Sequence, residues 1–498
     1  MKYLLGIDLG SSSVKVCLLD MQTGKAIANA FSPALEMVIH APFPGFAEQH
    51  PDIWWAELVN AMRMLHASIN YSGVEIAGIG ISYQMHGLVA VDKEGIPLRP
   101  SIIWCDRRAV QIGNQAFQFL GEKFCLEHYL NSPGNFTASK LKWVKENEPG
   151  IYEKVYKIML PGDYIAFRLT GIIGTTISGL SEGIMWDYTR QGLARDLLDY
   201  YGIDQDKIPE LLPQFGEQGK VTESAAKELG LNPGIPVCYR AGDQPNNAYS
   251  LNVMEPSEIA ATAGTSGVVY GVTEFSEYDP QSRVNAFVHV NHQQSSPRYG
   301  ILLCVNGTGS LNNWLRKAVF PSSTYEQINH LASEIEIGSD GLLFYPFGNG
   351  SERMLGNADF GASMEGLQFN RHDQRHMARA AQEGIVFALK YGMEVMEGMG
   401  MDLKTIRAGY ANMFLSSLFA SAFANTSGCC VELYNTDGAQ GAARAAGVGS
   451  GLYKSFAESF VGLQKVKSFE PDDKKMEQYT NAYSKWKEGL TKRMGIIS

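Results

Sequence analysis

A chain of 498 residues, 45% hydrophobic and 19% charged, has the length for two large domains or three small ones and ample apolar material for their cores. Its formal net charge of −10, with no basic run, argues against nucleic-acid or anionic-membrane partners, but not against a phosphorylated ligand held by local amides and helix N-termini. Seven cysteines without a CxxC pair or a His/Cys metal spacing read as reduced thiols in a cytoplasmic setting, and the apolar run Tyr3–Ile7, broken by Asp8, is no signal peptide. No apolar stretch reaches the ~20 residues that cross a bilayer.

In chain order, residues 2–20 predict strand, tight turn and strand: Tyr3–Ile7, glycine and hydroxyls from Leu9 to Ser13, then Val14–Asp20 in partial alternation. Residues 52–70 predict a helix with Trp54, Leu58, Met62 and Leu65 on one face. Val74–Ile81 predicts a buried strand ending at Gln84-Met85-His86-Gly87, and Thr137–Asn147 and Pro161–Leu169 predict helices. A strand over Ile235–Arg240 precedes a domain boundary near 245–257. The opening pattern then returns as Ile259–Thr262, Gly264-Thr265-Ser266-Gly267 and Val268–Val272. Two such hairpins predict an α/β chain of two domains of similar plan, 1–247 and 248–452. Helices follow over Leu311–Arg316 and Asp373–Met399, and the charged tail 453–498 predicts a helix lying on the surface.

A triphosphate needs donors that bring no bulk into the site. Gly10 lets the backbone approach, and Ser11, Ser12 and Ser13 add hydroxyl and amide donors. Asp8, at the end of a buried strand, is placed to hold Mg²⁺ through water, and Lys15 reaches toward the same phosphates. Alone, this turn fits an ordinary polar hairpin equally well. Its repeat at Gly264 and Thr265 makes the pair suited to clamp a nucleotide, and no GxxxxGK[ST] is present, so the chain is not a P-loop enzyme.

Asp243 follows a predicted strand near the domain boundary, where a general base is well placed, with Gln244 beside it to position an acceptor. An Asp there also suits a helix N-cap. His86 can hydrogen-bond a polyol while Met85 packs on its carbon face. Trp104, Asp106 and Arg108 combine an aromatic wall, a carboxylate and a cation, which fits a sugar and equally an ion pair beside a core tryptophan. Gly309 opens a predicted helix at a candidate nucleotide contact, Ala408-Gly409-Tyr410-Ala411-Asn412 is a candidate approach to adenosine, and the glycine-rich segments 348–353 and 438–447 suit close packing.

In their order and spacing, GIDLGSSSVK (6–15), ISYQMHG (81–87), WCDRR (104–108), NFTASKLKW (135–143), GDYIAFRLTG (162–171), AGDQPNNA (241–248), TAGTSGVVY (262–270), NNWLR (312–316), ARAAQEG (378–384) and GAQGAARAAG (438–447) resemble the FGGY family of carbohydrate kinases, and within it the xylulokinases. The resemblance runs from about residue 3 to about residue 450. It implies two ribonuclease-H-like domains of the actin and hexokinase type, with ATP and sugar in a central interdomain cleft, Mg²⁺ as metal, and neither nucleic acid nor membrane as partner; a homodimer is compatible with it. The implied reaction is phosphoryl transfer from ATP to a ketose hydroxyl, with D-xylulose favoured. Carried over, Asp243 matches the catalytic base, Asp8 the acid of the first phosphate turn, Met85 and His86 the sugar pair, and Trp104, Asp106 and Arg108 a motif near the sugar. Thr265, Gly309, Asn313 and Asn412 match nucleotide contacts. The chain departs from the pattern at Arg407-Ala408-Gly409-Tyr410, where a Gly-Gly-Gly-Ala run is usual, at Gly162, where Lys is frequent, and at Met354, where Pro is usual. A kinase for another ketose or polyol and a non-catalytic sugar- and ATP-binding regulator are the competing readings.

Overall fold

The opening hairpin forms where the alternation places it. In the computed structural model, which describes residues 2–69, 75–350 and 352–497, β1 (Tyr3–Leu9) pairs antiparallel with β2 (Val14–Asp20), setting Asp8 opposite Lys15. Asn70, Val74 and Ser351, which the sequence assigns to a helix end, a strand start and a glycine-rich turn, lie outside the described residues. β3 (Ala26–Ser32) extends the hairpin, while β4 (Ile76–Tyr83) and β5 (Val237–Gly242) join in parallel on the other side of β1. The resulting order is β5-β4-β1-β2-β3. Helix α1 (Pro51–Ser68) covers this sheet and buries Trp54, Leu58, Met62 and Leu65, the predicted face; Pro51 sits at its first turn, where no N–H is needed. Leu5, Ile7, Val16, Leu18, Ile79, Ile81 and Val237 share that core, and full burial of each such side chain contributes about 1.5–3 kcal/mol.

The second hairpin repeats the plan. β6 (Ile259–Ala263) and β7 (Gly267–Thr273) are antiparallel, β8 (Tyr299–Val305) follows, and β9 (Thr405–Gly409) and β10 (Cys430–Tyr434) join β6 in parallel. Within a seven-stranded sheet these run β8-β7-β6-β9-β10, the order of the first sheet. The similar plan predicted from two hairpins is therefore present at the level of strand order.

Two compact units result: Met1–Asn252 with Phe287–Tyr299 and Thr436–Leu463, and Val253–Ala286 with Gly300–Asn435 and Gln464–Ser498. Boundaries drawn in chain order at 247 and 452 do not express the return of 436–463 to the first unit. Its cause is the helix Gly438–Gly449, which is almost entirely glycine and alanine on its buried side and packs Ala439, Ala443 and Ala446 with Leu4, Cys17, Leu19 and Cys238. A Cβ on Gly6 would overlap the Ala439 carbonyl, and one on Gly80 the Ala442 carbonyl, so both strands need glycine beneath this helix. Arg444, fully buried, ties it down by donating to the carbonyls of Gly24, Ser459 and Val461 at 2.8, 2.8 and 2.6 Å.

The tail differs from the expected surface helix. Residues 453–472 hold only a short helix, Phe456–Ser459, and a strand, Lys465–Phe469, which pairs antiparallel with β10. The terminal helix Asp473–Ile497 is docked: Trp486 and Leu490 are wholly buried, and Trp486 donates to the Phe344 carbonyl at 2.9 Å and accepts from the Tyr345 hydroxyl at 3.2 Å. Many charges along this helix disguise the two apolar anchors.

Candidate active site

β1 delivers Asp8 to its C-terminal end, with Lys15 Nζ 4.0 Å from Oδ2. The helix Gly438–Gly449 starts against this carboxylate; a Cβ on Gly438 would lie 2.7 Å from Asp8 Oδ2. Glycine makes the approach sterically allowed, and the positive end of the helix favours the charge. The turn beyond Asp8 is ordered by its own backbone, Gly10 N–H donating to Ser13 O at 3.0 Å and Met37 N–H to Ser12 O at 2.8 Å. Gln49 Nε2 donates to Ser11 O at 2.7 Å, and the half-exposed Trp104 donates from Nε1 to Ser11 Oγ at 3.4 Å. Trp104 is thus an aromatic wall beside the hydroxyl-rich turn.

Asp243 is the first residue of the helix Asp243–Ser250, and the N-cap position falls on Gly242. The helix-cap reading of Asp243 therefore does not hold. Its carboxylate accepts from Gln244 Nε2 at 3.2 Å. Burial first, and then the charge of Asp8, push its pKa up to about 7. A carboxylate poised near neutrality is suited to accept a proton from an alcohol and release it afterwards.

Met85 and His86 follow β4 on the same side. Met85 is buried, its Cγ 2.6 Å from where a Cβ on Gly242 would stand. His86 adopts φ 61°, a left-handed conformation rare outside glycine. Its Nδ1 lies 2.8 Å from the Glu182 carbonyl, its own carbonyl accepts from Lys140 Nζ at 2.9 Å, and its ring packs on Phe136 and Phe287 at 4.9 and 5.3 Å. Lys140 also donates to Ile103 O at 2.9 Å, and burial lowers its pKa to about 8. Lys140 stands inside one of the recognised segments, where a lysine on a helix carries no sign of burial. Glu182 ends the helix Ile177–Glu182 and has no sequence signal at all.

Asp106 and Arg108 are engaged with each other and with neighbouring charges, and both act on Lys140. Asp106 is wholly buried; its Oδ2 accepts the Ala47 N–H at 2.6 Å and Arg108 Nη2 at 2.7 Å. Arg108 also pairs with Glu48 at 2.7 Å, which pairs with Arg99 at 2.6 Å, and its guanidinium lies 3.8 and 4.6 Å from the Phe46 and Trp143 ring centroids. The ion pair that the sequence reading offered beside a tryptophan is present in the geometry of Asp106 and Arg108.

In the second unit, the turn after β6 is bonded to the start of the helix Gly309–Ala318: Gly309 N–H donates to Gly264 O at 2.8 Å and Ser310 N–H to Thr265 O at 3.0 Å. A Cβ on Gly309 would overlap Gly264 O, and Asn412, at φ 54°, brings Nδ2 within 3.7 Å of a Cβ built on Gly264. Gly264, Thr265, Gly309 and Asn412 therefore converge. Asn313 follows one turn along the helix, and Ala408 and Gly409 end β9 just before Asn412. Arg407, the first departure from the family run, is held by Glu258 at 3.2 Å and Glu432 at 3.8 Å. On another face of the same helix, Ser310, Leu311 and Trp314 line a cavity of ≈ 520 Å³ with Phe344 and Pro346.

Among the described residues no helix is long and apolar enough to cross a membrane, and no group of three or more His, Cys, Asp or Glu is arranged to hold a metal. Residues 3–249 match the N-terminal domain, and residues 259–450 the C-terminal domain, of the FGGY family of carbohydrate kinases. The chain is similar to a xylulose kinase of Staphylococcus epidermidis, 32% identical over 489 residues, 97% of this chain and 95% of that protein. It is 30% identical to a xylulose kinase of Bacillus subtilis over 98% of this chain and 96% of that one. Among solved structures, a xyloylose kinase from Brucella ovis superposes with TM-score 0.88 at 25% identity, over 100% of both chains.

Proposed function

The chain belongs to the FGGY family of carbohydrate kinases, and from that premise we propose that it transfers the γ-phosphoryl group of ATP to O5 of D-xylulose. The relatives named xylulose kinase support this choice of sugar. The observation that carries the chemistry is Asp243, raised toward neutrality by burial and by Asp8. Asp243 takes the proton of the attacking hydroxyl as its oxygen bonds to the γ-phosphorus and the bond from that phosphorus to the β-phosphate oxygen breaks, releasing ADP. Gln244 orients the acceptor, Met85 supplies an apolar face, His86 a hydrogen bond, and Trp104 a wall.

Gly10, Ser11, Ser12, Ser13 and Lys15 serve the phosphates, and Gly264, Thr265, Gly309, Asn313, Ala408, Gly409 and Asn412 the nucleotide. Asp8 is a partly exposed carboxylate, 15% accessible, facing the hydroxyl-rich turn. A single such oxygen donor together with phosphates and waters is the usual environment of Mg²⁺, which Asp8 would hold through water. The ion, when bound, supplies neutralisation of phosphate charge; positioning by the chain supplies the rest. We place the reaction in the cytoplasm, with sugar and ATP as the small-molecule partners.

The test is ADP release over a panel of ketoses and polyols, with Asp243→Asn as the blank. The highest kcat/KM is expected for D-xylulose. A higher value for another sugar overturns the substrate, and no release with any sugar overturns the kinase.

A further inference from the structure

One buried acid beside the acceptor residues is outside the mechanism given above. Glu182 is 2% exposed, and its Oε1 has no hydrogen-bond partner. Its Oε2 occupies the space that a Cβ on Gly242 would need, next to Met85 and one residue before Asp243. Being the last residue of its helix, Glu182 has a main-chain carbonyl without an intrahelical donor, and that carbonyl meets His86 Nδ1 at 2.8 Å. Its carboxyl takes the backbone N–H of the same histidine. Both the ring and the backbone of His86 are therefore held by one residue, at a position whose positive φ needs support from its surroundings.

The remaining neighbours of the carboxyl explain how it is tolerated. The Tyr83 hydroxyl faces it, and Tyr83 fits only because residue 162 is glycine, since a Cβ there would overlap the tyrosine ring. Burial, then the charges of Asp243 and Asp163, push the Glu182 carboxyl well above the usual carboxylate range. The departure at Gly162, the ring of Tyr83 and the acid at Glu182 thus form one linked set.

We propose that Glu182 is a positioning residue for the acceptor sugar: by clasping the backbone N–H and the imidazole of His86 it fixes Met85 and His86, and with them the attacking hydroxyl, relative to Asp243. The inference rests on the assignment of His86 to the sugar site. The imidazole meets the main-chain carbonyl, which any residue supplies, whereas the side-chain half of the clasp requires an acceptor oxygen, so glutamine should replace glutamate and methionine should not.

The experiment measures kcat, KM for D-xylulose, KM for ATP and Tm for full-length Glu182→Gln, Glu182→Met and His86→Ala. Glu182→Met is expected to raise the sugar KM about tenfold or more, the scale of one lost buried hydrogen bond, with the ATP KM within about twofold. Glu182→Gln is expected to keep the sugar KM within about threefold, a rescue that a merely space-filling role does not require. An unchanged sugar KM in Glu182→Met alongside a raised one in His86→Ala overturns the positioning role alone. Equal effects on the two KM values, or a glutamine variant as impaired as the methionine one, overturn it as well. If His86→Ala leaves the sugar KM unchanged, the site assignment fails and the inference falls with it. Should the methionine variant lose its cooperative melt, the glutamine variant decides, and a rise of about tenfold in its sugar KM overturns the proposal.

Discussion

Asp8 and Asp243 are electrostatically joined: after burial, the charge of Asp8 is the largest cause of the rise of Asp243 to about 7. The residues are 235 positions apart in sequence, yet each lies at the end of a strand of one sheet, Asp8 on β1 and Asp243 just beyond β5, with β4 between the two strands. The charge of Asp8 thus disfavours ionisation of Asp243.

That coupling sets a pH dependence. Asp243 acts as base only when deprotonated, so kcat/KM is expected to fall on the acid side of about pH 7 with a slope of one. Asp8→Asn removes the repelling charge, so the acid limb of its residual activity should move to lower pH. A pH–rate profile of both proteins checks this; a limb that stays in place would separate the two carboxylates.

Asp243→Asn is expected to lower turnover at least ~10²-fold while leaving ATP binding intact. The same change should stabilise the fold at high pH. A carboxyl whose folded pKa is raised from 3.8 to about 7 binds its proton more tightly in the folded state, so its ionisation weakens the fold as pH rises through that interval. The variant should therefore melt about 2 °C or more above the parent at pH 8, and level with it below pH ~4. Thermal melts at the two pH values decide the sign.

Asp106→Ala breaks a buried ion pair and strands Arg108 beside Glu48, Phe46 and Trp143. Loss of about 3–5 kcal/mol of stability is expected, with the sugar KM of the folded enzyme unchanged. A selective rise in sugar KM would return Asp106 to the acceptor site.

Gly438→Ala places a methyl group 2.7 Å from Asp8 Oδ2 and must displace the carboxylate or the helix start. Turnover should drop at least ~10-fold, the cost of a misplaced catalytic group, while D-xylulose binding measured calorimetrically stays within about threefold. Unchanged turnover would show that Asp8 tolerates the shift.

Local pattern was legible in the sequence and long-range neutralisation was not. The helix at Thr137–Asn147 and the hairpin strand Val14–Asp20 lie where periodicity places them, because their core faces recur at fixed intervals. The Trp-Cys-Asp-Arg-Arg segment has an equally clear local chemistry that suits a sugar, but the partners Glu48 and Arg99 that occupy Arg108 and its network come from other segments. Glu182 was silent because one acid at the end of a six-residue helix is ordinary until Tyr83, Gly162 and His86 are folded around it. The terminal helix is disguised by composition, since its buried residues Tyr479, Tyr483, Trp486 and Leu490 are spaced among many charges.

The Gly438–Gly449 helix has a consequence for how the molecule comes into being. Strands β1 and β4 are made long before the element that covers Gly6 and Gly80, which follows the first of these glycines by more than four hundred residues. Until then the first sheet keeps an uncovered glycine-lined face, and Asp8 lacks the helix terminus that fixes its surroundings. A chain stopped after Asn435 would carry every carboxylate of the reaction and still be chemically unassembled. The enzyme's competence is thus conferred only once the segment 436–463 has been made, and a truncated chain of that length should show no ADP release above the Asp243→Asn background.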